Sequence, residues 1–301
     1  MDSLRSYGRI IVILPLLNLQ RMDLKNDSLS LHHPSTYRDL IKDIYIRSVD
    51  AFFTNNIKKK PSVQFLYSHY LFKDEMDGFI QLIGFLQKNF TIISYSEAVN
   101  KITTSEIDDY YICFSFDDGI KNCMRIAEEF YRRGISAAFF LNPKVIEQCN
   151  NVSFIQQHCT NNLHLKELDF MNWEDVEDLL KMGHEIGNHT YSHQRLSKIK
   201  EEDFKEEILF SKEVLEKKAG KINHFAWTYG TANDISNEAF NYIISSGHDS
   251  VASAIRGQHF SKIDLKTKYI LRDLLVFKQA LYYFRYFYRK SNHSGQPASM
   301  P

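Results

Sequence analysis

From residue 62 to residue 276 the sequence alternates short runs of β-branched and aromatic residues with longer amphipathic runs. The apolar run YYICFSF (110–116) is typical of a buried strand, and MDGFIQLIGFLQKN (76–89) repeats its apolar residues at helical spacing. Strands that alternate with helices form βα units around a largely parallel sheet. About seven such units predict an α/β fold with a distorted barrel, in which active sites lie at the carboxyl ends of the strands.

The composition excludes several classes of fold and partner. Hydrophobic residues make up 44% of the chain and aromatic residues 14%, with only 12 Gly and 6 Pro, which excludes collagen-like and disordered chains. The 37 Lys and Arg residues balance the 37 Asp and Glu residues, so no net charge favours nucleic acid. We therefore expect no nucleic-acid partner, and the function has to be sought in local site chemistry.

The residues on either side of the βα pattern differ from it in character. We interpret residues 1–60 as an N-terminal extension, 61–278 as the α/β domain and 279–301 as an aromatic and basic tail. The apolar run at 10–17 is too short to span a bilayer, and it fits either a strand or docking segment or an export signal. The tail fits either a helix docked on the barrel or a peripheral membrane contact. The oligomeric state is left open.

The cysteines bear on the compartment. The four, at positions 113, 123, 149 and 159, include no Cys-x-x-Cys pair, so they match neither a zinc cage nor a small disulfide scaffold. We expect reduced thiols in a cytoplasmic protein. The alternative is an exported or envelope-associated protein, in which Cys149 and Cys159 could form a bridge.

Two groups of potential metal ligands follow predicted strands. Asp117 and Asp118 come directly after YYICFSF, where adjacent carboxylates repel each other unless a cation or a proton absorbs the charge. His189 and His193 follow the short strand HEIG (184–187), and on a helical turn a spacing of four would place both imidazoles on one face. Each group alone also fits a simpler interpretation, a polar turn or a chance pair.

Taken together, the two groups predict a catalytic metal site. One carboxylate with two histidines leaves coordination positions open for water and substrate, as catalytic sites require. The second carboxylate can act as a general base toward the water that the metal activates. The residues therefore indicate metal-assisted hydrolysis. In the opposing, non-enzymatic interpretation the two groups are unrelated surface residues.

Three segments carry a resemblance to a known family. FSFDDG (114–119) and HTYSH (189–193) resemble the first two motifs of the polysaccharide deacetylases, carbohydrate esterase family 4, and FAWTYG (225–230) resembles the next. FLYSHYLF (65–72) resembles the entry strand of the branch that acts on exopolysaccharide and envelope sugars. The resemblance covers residues 62–277 and implies a NodB homology domain, a distorted (β/α)7-type barrel.

The resemblance also implies an activity. Family members are hydrolases of carbon–nitrogen bonds other than peptide bonds, so we expect removal of the N-acetyl group, as acetate, from an N-acetylated sugar. The sugar would belong to a surface polysaccharide or its lipid-linked or nucleotide-linked precursor. Two alternatives remain: a member that has lost catalysis and only binds glycan, and a hydrolase of another acyl group, such as formyl.

Carried over by position, the resemblance assigns roles to individual residues. It implies these metal ligands: Asp118, His189 and His193. Zn²⁺ is the expected ion, with Co²⁺ or Ni²⁺ as alternatives. Asp117 becomes the base, and the backbone amide of Tyr229 helps the metal to hold the developing oxyanion. Ser192 fits either a residue that orients the histidine loop or a plain turn serine.

The sequence departs from the family pattern in two places. Many members carry an arginine in the third motif that pairs with the base, but this chain has AWT at 226–228. Arg272 in YILRDLLV resembles the late arginine of the envelope-sugar branch and fits either that role or a surface or structural one. The usual general acid, a histidine in a late Leu-x-His motif, has no counterpart after residue 230. His248 and His259 lie in that region without the expected neighbours.

Two further features concern the walls of the site. Trp227 and Tyr229 could form an aromatic wall for a sugar ring, and core packing is the rival interpretation for Trp227. The polar, histidine-containing segment 147–168 is expected to be an insertion that covers the site.

Overall fold

The computed structural model describes residues 60–165 and 167–275. The predicted N-terminal extension with its apolar run at 10–17 and the predicted tail at 279–301 lie outside the described residues. The domain boundaries, the export signal and the membrane contact therefore stay predictions. Among the described helices, none has both the length and the apolar composition needed to cross a bilayer.

A parallel sheet curls into a nearly closed barrel, which confirms the fold predicted from the βα alternation. Its strands are β1 (Ser62–Ser68), β2 (Thr91–Ile92), β3 (Tyr110–Phe116), β4 (Ala138–Leu141), β5 (Glu185–Asn188), β6 (His224–Ala226), β7 (Ser250–Ala252) and β8 (Arg272–Leu274). The order is β7-β6-β5-β4-β3-β1-β8, and β2 pairs with β3 outside this path. The barrel closes where Ala252 of β7 pairs in parallel with Ile270, just before β8.

Helices follow most strands and cover the outside of the barrel. They are α1 (Met76–Asn89), α2 (Tyr95–Thr104), α3 (Met124–Arg132), α4 (Pro143–Glu147), α5 (Val152–His158), α6 (Trp173–Lys181), α7 (Glu201–Phe204), α8 (Ser211–Ala219) and α9 (Asn237–Ser245). Two π-helical segments, Cys159–Leu163 and Lys205–Phe210, extend α5 and join α7 to α8. The amphipathic pattern of residues 201–218 predicts one long helix, but the segment Lys205–Phe210 interrupts it. The segment 147–168 contains the helix α5.

The helix α2 begins two residues before the position that the sequence suggests. Ser96 opens the short helical pattern SEAVNKI (96–102) and is a plausible cap by residue type, but Ser94 is the N-cap. The Ser94 hydroxyl accepts a hydrogen bond from the Glu97 amide at 3.2 Å. Ser96 lies inside the helix, and its hydroxyl hydrogen-bonds the Glu185 carboxylate and His224. Both serines suit a helix start, so the choice between them depends on the contacts that each makes with the barrel.

The strands β1 and β3 are buried on both faces, as the apolar run at 110–116 predicts for β3. Inside the barrel, side chains such as Phe65, Cys113 and Phe140 form one cluster. On the outside, Leu66 and Phe114 pack against residues of α1 and α3 in a second cluster. The candidate metal ligands lie just beyond the carboxyl ends of β3 and β5. All four cysteines are free, including Cys149 and Cys159.

Candidate active site and metal centre

Two adjacent aspartates leave the end of β3 in different directions. The amide of Asp117 still bonds the Ser68 carbonyl at 3.0 Å, continuing the ladder to β1. The backbone then turns sharply, with φ of 73° at Asp118 and 67° at Gly119. Asp117 consequently meets Arg272, and Asp118 meets the two histidines. The predicted repulsion between neighbouring carboxylates is relieved because each has its own partner.

Asp118 lies between His189 and His193. Its Oδ1 is 3.2 Å from Nε2 of His189 and 3.1 Å from Nε2 of His193, and all three side chains are buried. One ligand atom from each residue lies within 4.8 Å of the others. Within the described parts of the chain, this is the group of acidic, histidine or cysteine side chains arranged to hold a metal ion.

A turn, and not a helix, brings His189 and His193 together. The prediction of a helical turn at 189–193 is wrong, since the segment has no helical structure and has positive φ at Thr190 (66°) and His193 (64°). The Thr190 hydroxyl accepts the His193 amide at 3.0 Å. This left-handed turn brings both imidazoles to the same carboxylate.

The donor set fits a divalent cation. Although burial opposes the charged form, hydrogen bonds with His189 and His193 hold the pKa of Asp118 well below its usual range. Nδ1 of His189 lies 2.7 Å from the Ala226 carbonyl, which orients the ring with Nε2 toward Asp118. One carboxylate and two imidazoles form the open three-ligand set that catalytic zinc sites use.

A buried carboxylate outside the predicted set holds the histidine loop. Glu207, on the π-helical segment Lys205–Phe210, accepts the Ser192 amide at 3.0 Å and the Ser192 hydroxyl at 2.5 Å. Its carbonyl accepts the Tyr191 amide at 2.9 Å. Ser192 thus contacts a support of the loop, as the first of its two interpretations anticipated. Glu207 gave no sequence signal, because one acidic residue among several on a helix looks like solvated surface.

Arg272 forms a bidentate ion pair with Asp117. Its Nη1 and Nη2 donate to the two carboxylate oxygens at 2.9 and 2.8 Å. The guanidinium also donates to the Ser253 carbonyl at 2.7 Å and the Ser115 hydroxyl at 3.2 Å, and it stacks on the ring of Tyr67. Arg272 is fully buried, so the interpretation as a surface arginine is wrong.

The third motif separates its two aromatic residues. Trp227 is 1% exposed, packs against Tyr269 and donates its indole N–H to the Thr231 carbonyl, so it belongs to the core and not to a sugar wall. Tyr229 is half-buried, with its ring 5.1 Å from that of His193 and 3.9 Å from the Arg195 guanidinium. Its φ of 63° is left-handed. No backbone hydrogen bond between described residues uses its amide.

The two late histidines lie away from the metal ligands. His248 is buried behind β5 and β6, near Asn188 and the Ile243 carbonyl, and burial lowers its pKa to about 3. His259 pairs with Val63 near the amino end of β1, and burial lowers its pKa to about 4. Neither contacts Asp118, so neither is placed to act as the general acid.

The residues that form the site fall within a known family pattern. The family model described as polysaccharide deacetylase matches residues 105–243, a range that includes both aspartates, the histidine loop and β6. The chain contains a polysaccharide deacetylase domain. For residues 105–243 this confirms the family that the sequence motifs resemble, a family of hydrolases of carbon–nitrogen bonds.

A curated relative agrees with the domain assignment. The chain is 27% identical over 116 residues to a peptidoglycan-N-acetylglucosamine deacetylase of Bacillus cereus, an alignment that covers 38% of this chain. The chain thus spans only about a third of the length of that relative, 34%.

Solved structures share the fold of the deacetylase domain. The Streptococcus pyogenes deacetylase PplD, in complex with acetate, superposes with a TM-score of 0.58 at 12% identity, covering 75% of this chain and 96% of that one. IcaB from Ammonifex degensii superposes with a TM-score of 0.57 at 18% identity, covering 73% and 96%. These similarities establish the barrel and leave the chemistry to the site itself.

Proposed function

We propose that this chain is a metal-dependent hydrolase that removes the N-acetyl group from an N-acetylated sugar of a surface polysaccharide or its precursor. One observation carries the proposal: Asp118 lies between His189 and His193 while the adjacent Asp117 faces away and is held by Arg272. A metal-ligand set and a separate, oriented carboxylate are the two components that metal-assisted amide hydrolysis requires.

Asp118, His189 and His193 would hold the ion, and Zn²⁺ suits one carboxylate with two imidazoles. When bound, such an ion polarises the acyl carbonyl and makes water acidic enough to lose a proton near neutral pH. The chain's own residues would then supply orientation and proton transfer.

Asp117 is the proposed general base. Both of its oxygens accept hydrogen bonds from Arg272, an arrangement that fixes the plane of the carboxylate. Asp117 would take one proton from the attacking water as the oxygen of that water bonds to the acyl carbon. The amide of Tyr229 would donate a hydrogen bond to the oxyanion that develops, and its ring would line the sugar subsite.

The saccharide substrate is supported by the family and by the half-buried aromatic ring of Tyr229 beside His193. A pyranose ring can pack its apolar face on such a ring. The relative from Bacillus cereus is named a peptidoglycan-N-acetylglucosamine deacetylase, which supports an N-acetylated amino sugar as the class of substrate.

The test is acetate release by the Zn²⁺-loaded protein from a panel of N-acetylated oligosaccharides, with formylated analogues in parallel. Asp117→Asn should lower kcat by about 10²- to 10⁴-fold, since the amide cannot take the proton. Zn²⁺ affinity should stay close to that of the wild type, because Asp117 does not contact the ligand histidines. The exposed Asp178→Asn on α6 is the matched control.

The outcomes separate the alternatives. Acetate release by Asp117→Asn at the wild-type rate would show that another group is the base. Tight Zn²⁺ binding with glycan binding but no product from any substrate would favour a glycan-binding member of the family. Formate without acetate would identify a deformylase.

A further inference from the structure

Tyr229, whose amide is the proposed oxyanion donor, has a strained backbone. Its φ of 63° lies in the left-handed region, which is uncommon for a residue with a bulky side chain. Such a conformation costs free energy and persists only where the surrounding structure holds it. The contacts around Tyr229 therefore decide where its amide lies.

The ring of Tyr229 is held on two sides. Its centroid lies 5.1 Å from that of the His193 ring, with the two rings inclined at 66°. It also lies 3.9 Å from the central guanidinium carbon of Arg195. A guanidinium over an aromatic face is attracted by the π electrons and covers the face with a planar group. Rotation of the Tyr229 backbone to negative φ would carry Cβ and the ring away from both neighbours.

Arg195 is itself fixed by a buried carboxylate. Its Nη1 donates to Oδ1 of Asp234, a residue that is 1% exposed. Oδ2 of Asp234 accepts the Thr231 amide at 2.9 Å and the Thr231 hydroxyl at 2.6 Å. Asp234 thus joins the turn that follows Tyr229 to the guanidinium that covers the ring of Tyr229.

Other hydrogen bonds join the same two segments of the chain. The Ser197 amide donates to the Asp234 carbonyl at 3.0 Å, and the Thr228 hydroxyl donates to the Gln194 carbonyl at 2.5 Å. These bonds hold the segments together without the side chain of Arg195. A substitution of Arg195 therefore removes the contact with the ring and leaves the segments joined.

We propose, resting on the proposed function, that Arg195 is a positioning residue for the oxyanion donor. Its guanidinium, held by Asp234, keeps the ring of Tyr229 in place and thereby keeps the backbone of Tyr229 in the left-handed conformation. An amide donor that is already in place needs no reorganisation as charge develops on the acyl oxygen. Because this donor acts in the transition state, Arg195 should affect kcat more than KM.

The experiment compares the Zn²⁺-loaded wild type with Arg195→Lys on an N-acetylated oligosaccharide. The lysine keeps a cation for Asp234, so the fold should be retained, but it has no planar group to cover the ring of Tyr229. We expect kcat to fall about 10- to 100-fold and KM to change less than about threefold, since the loss of a whole oxyanion donor costs about 10²- to 10³-fold. The matched control Lys198→Met, at an exposed position of the same segment, should keep both parameters.

A second background shows whether the effect passes through Tyr229. Glycine adopts positive φ without strain, so Tyr229→Gly keeps the left-handed conformation accessible without support from a ring. In this background Arg195→Lys should change kcat by less than about threefold. A full effect of Arg195→Lys in Tyr229→Gly would show that Arg195 acts by another route, and it would overturn the inference.

Zn²⁺ affinity and Tm of each variant report on the metal site and on folding, and both should stay near the wild-type values in Arg195→Lys. Wild-type kcat in Arg195→Lys overturns the inference while the proposed function stands. A fall in kcat with an equal loss of Zn²⁺ affinity, or with a lowered Tm, also overturns it, because the role would then be structural. If the wild type releases no acetate from any substrate, the proposed function itself fails.

Discussion

Histidines of this chain owe their roles to their individual surroundings. His189 is oriented by the Ala226 carbonyl so that Nε2 faces Asp118. His248 and His259 are buried away from the site, where burial lowers their pKa to about 3 and about 4. A histidine can bind a metal, transfer a proton or pack in the core. Burial and the partner of each ring nitrogen decide which of these roles each histidine has.

The two buried late histidines should make the fold sensitive to acid. In the unfolded chain their pKa is about 6.5, so the unfolded state binds protons first as the pH falls. The stabilisation is fully present above about pH 6.5 and is lost as the pH falls toward the folded-state values. Each histidine should contribute about 1.4 kcal/mol per pH unit inside this window.

Urea unfolding of the metal-free protein between pH 7 and pH 5 measures this dependence. His259→Gln should reduce the slope of unfolding free energy against pH by about 1.4 kcal/mol per unit, while the exposed His164→Gln should leave it unchanged. An unchanged slope in His259→Gln would show that this residue is not held neutral in the fold.

Among the elements, the π-helical segment Lys205–Phe210 has the clearest effect on the site. A π segment inserts one extra residue per turn and rotates the following side chains relative to a regular helix. Here Glu207 contacts Ser192, and Ser211 at the start of α8 donates to the Asn188 side chain at 2.7 Å. Asn188 in turn accepts the Thr190 amide at 3.1 Å. One helical element therefore holds both ends of the histidine loop.

Removing this support should weaken metal binding. Glu207→Ala leaves the amide and hydroxyl of Ser192 without an acceptor, so the loop loses the contact that positions His193. We expect the affinity for Co²⁺, followed by its visible absorption, to fall by about 10- to 100-fold. The neighbouring Glu206→Ala, at an exposed position, is the control. Equal affinities in the two variants would contradict the role of Glu207.

For the molecule as a whole, Arg272 couples the closure of the barrel to the catalytic centre. It lies on β8, which pairs with β1. It donates hydrogen bonds to Ser253, which follows β7. It also donates to Ser115 within β3 and to Asp117 just after β3. Breaking a buried ion pair by removing one partner leaves an uncompensated charge in the interior. The base and the last strand of the fold are therefore held by the same side chain.

Arg272→Met should destabilise the protein by about 3–5 kcal/mol, because Asp117 would stay buried without its partner. Urea unfolding at pH 7 measures the change. The exposed Lys266→Met should change stability by less than about 0.5 kcal/mol. A loss in Arg272→Met no larger than that of the control would mean that Asp117 finds another partner.

Local sequence patterns predict much of this architecture. Local patterns predicted β3 and α1, and the contiguous motifs predicted Asp117, Asp118, His189 and His193, because strand and helix periodicity and short motifs depend on neighbouring residues. The same patterns missed the short strand β7 and the helix α5, which have too few residues for a clear period.

Only the tertiary structure decided which of the distant candidates reach the site. Arg272 meets Asp117 across 155 residues because the barrel closes between β8 and β1, whereas His248 and His259, nearer to the expected motif, are buried elsewhere. Trp227 faces the core and Tyr229 faces His193, although they are two positions apart. Sequence determines which chemical groups each element carries, but the direction of a side chain beyond a strand end depends on local turns and on long-range packing that no local pattern encodes.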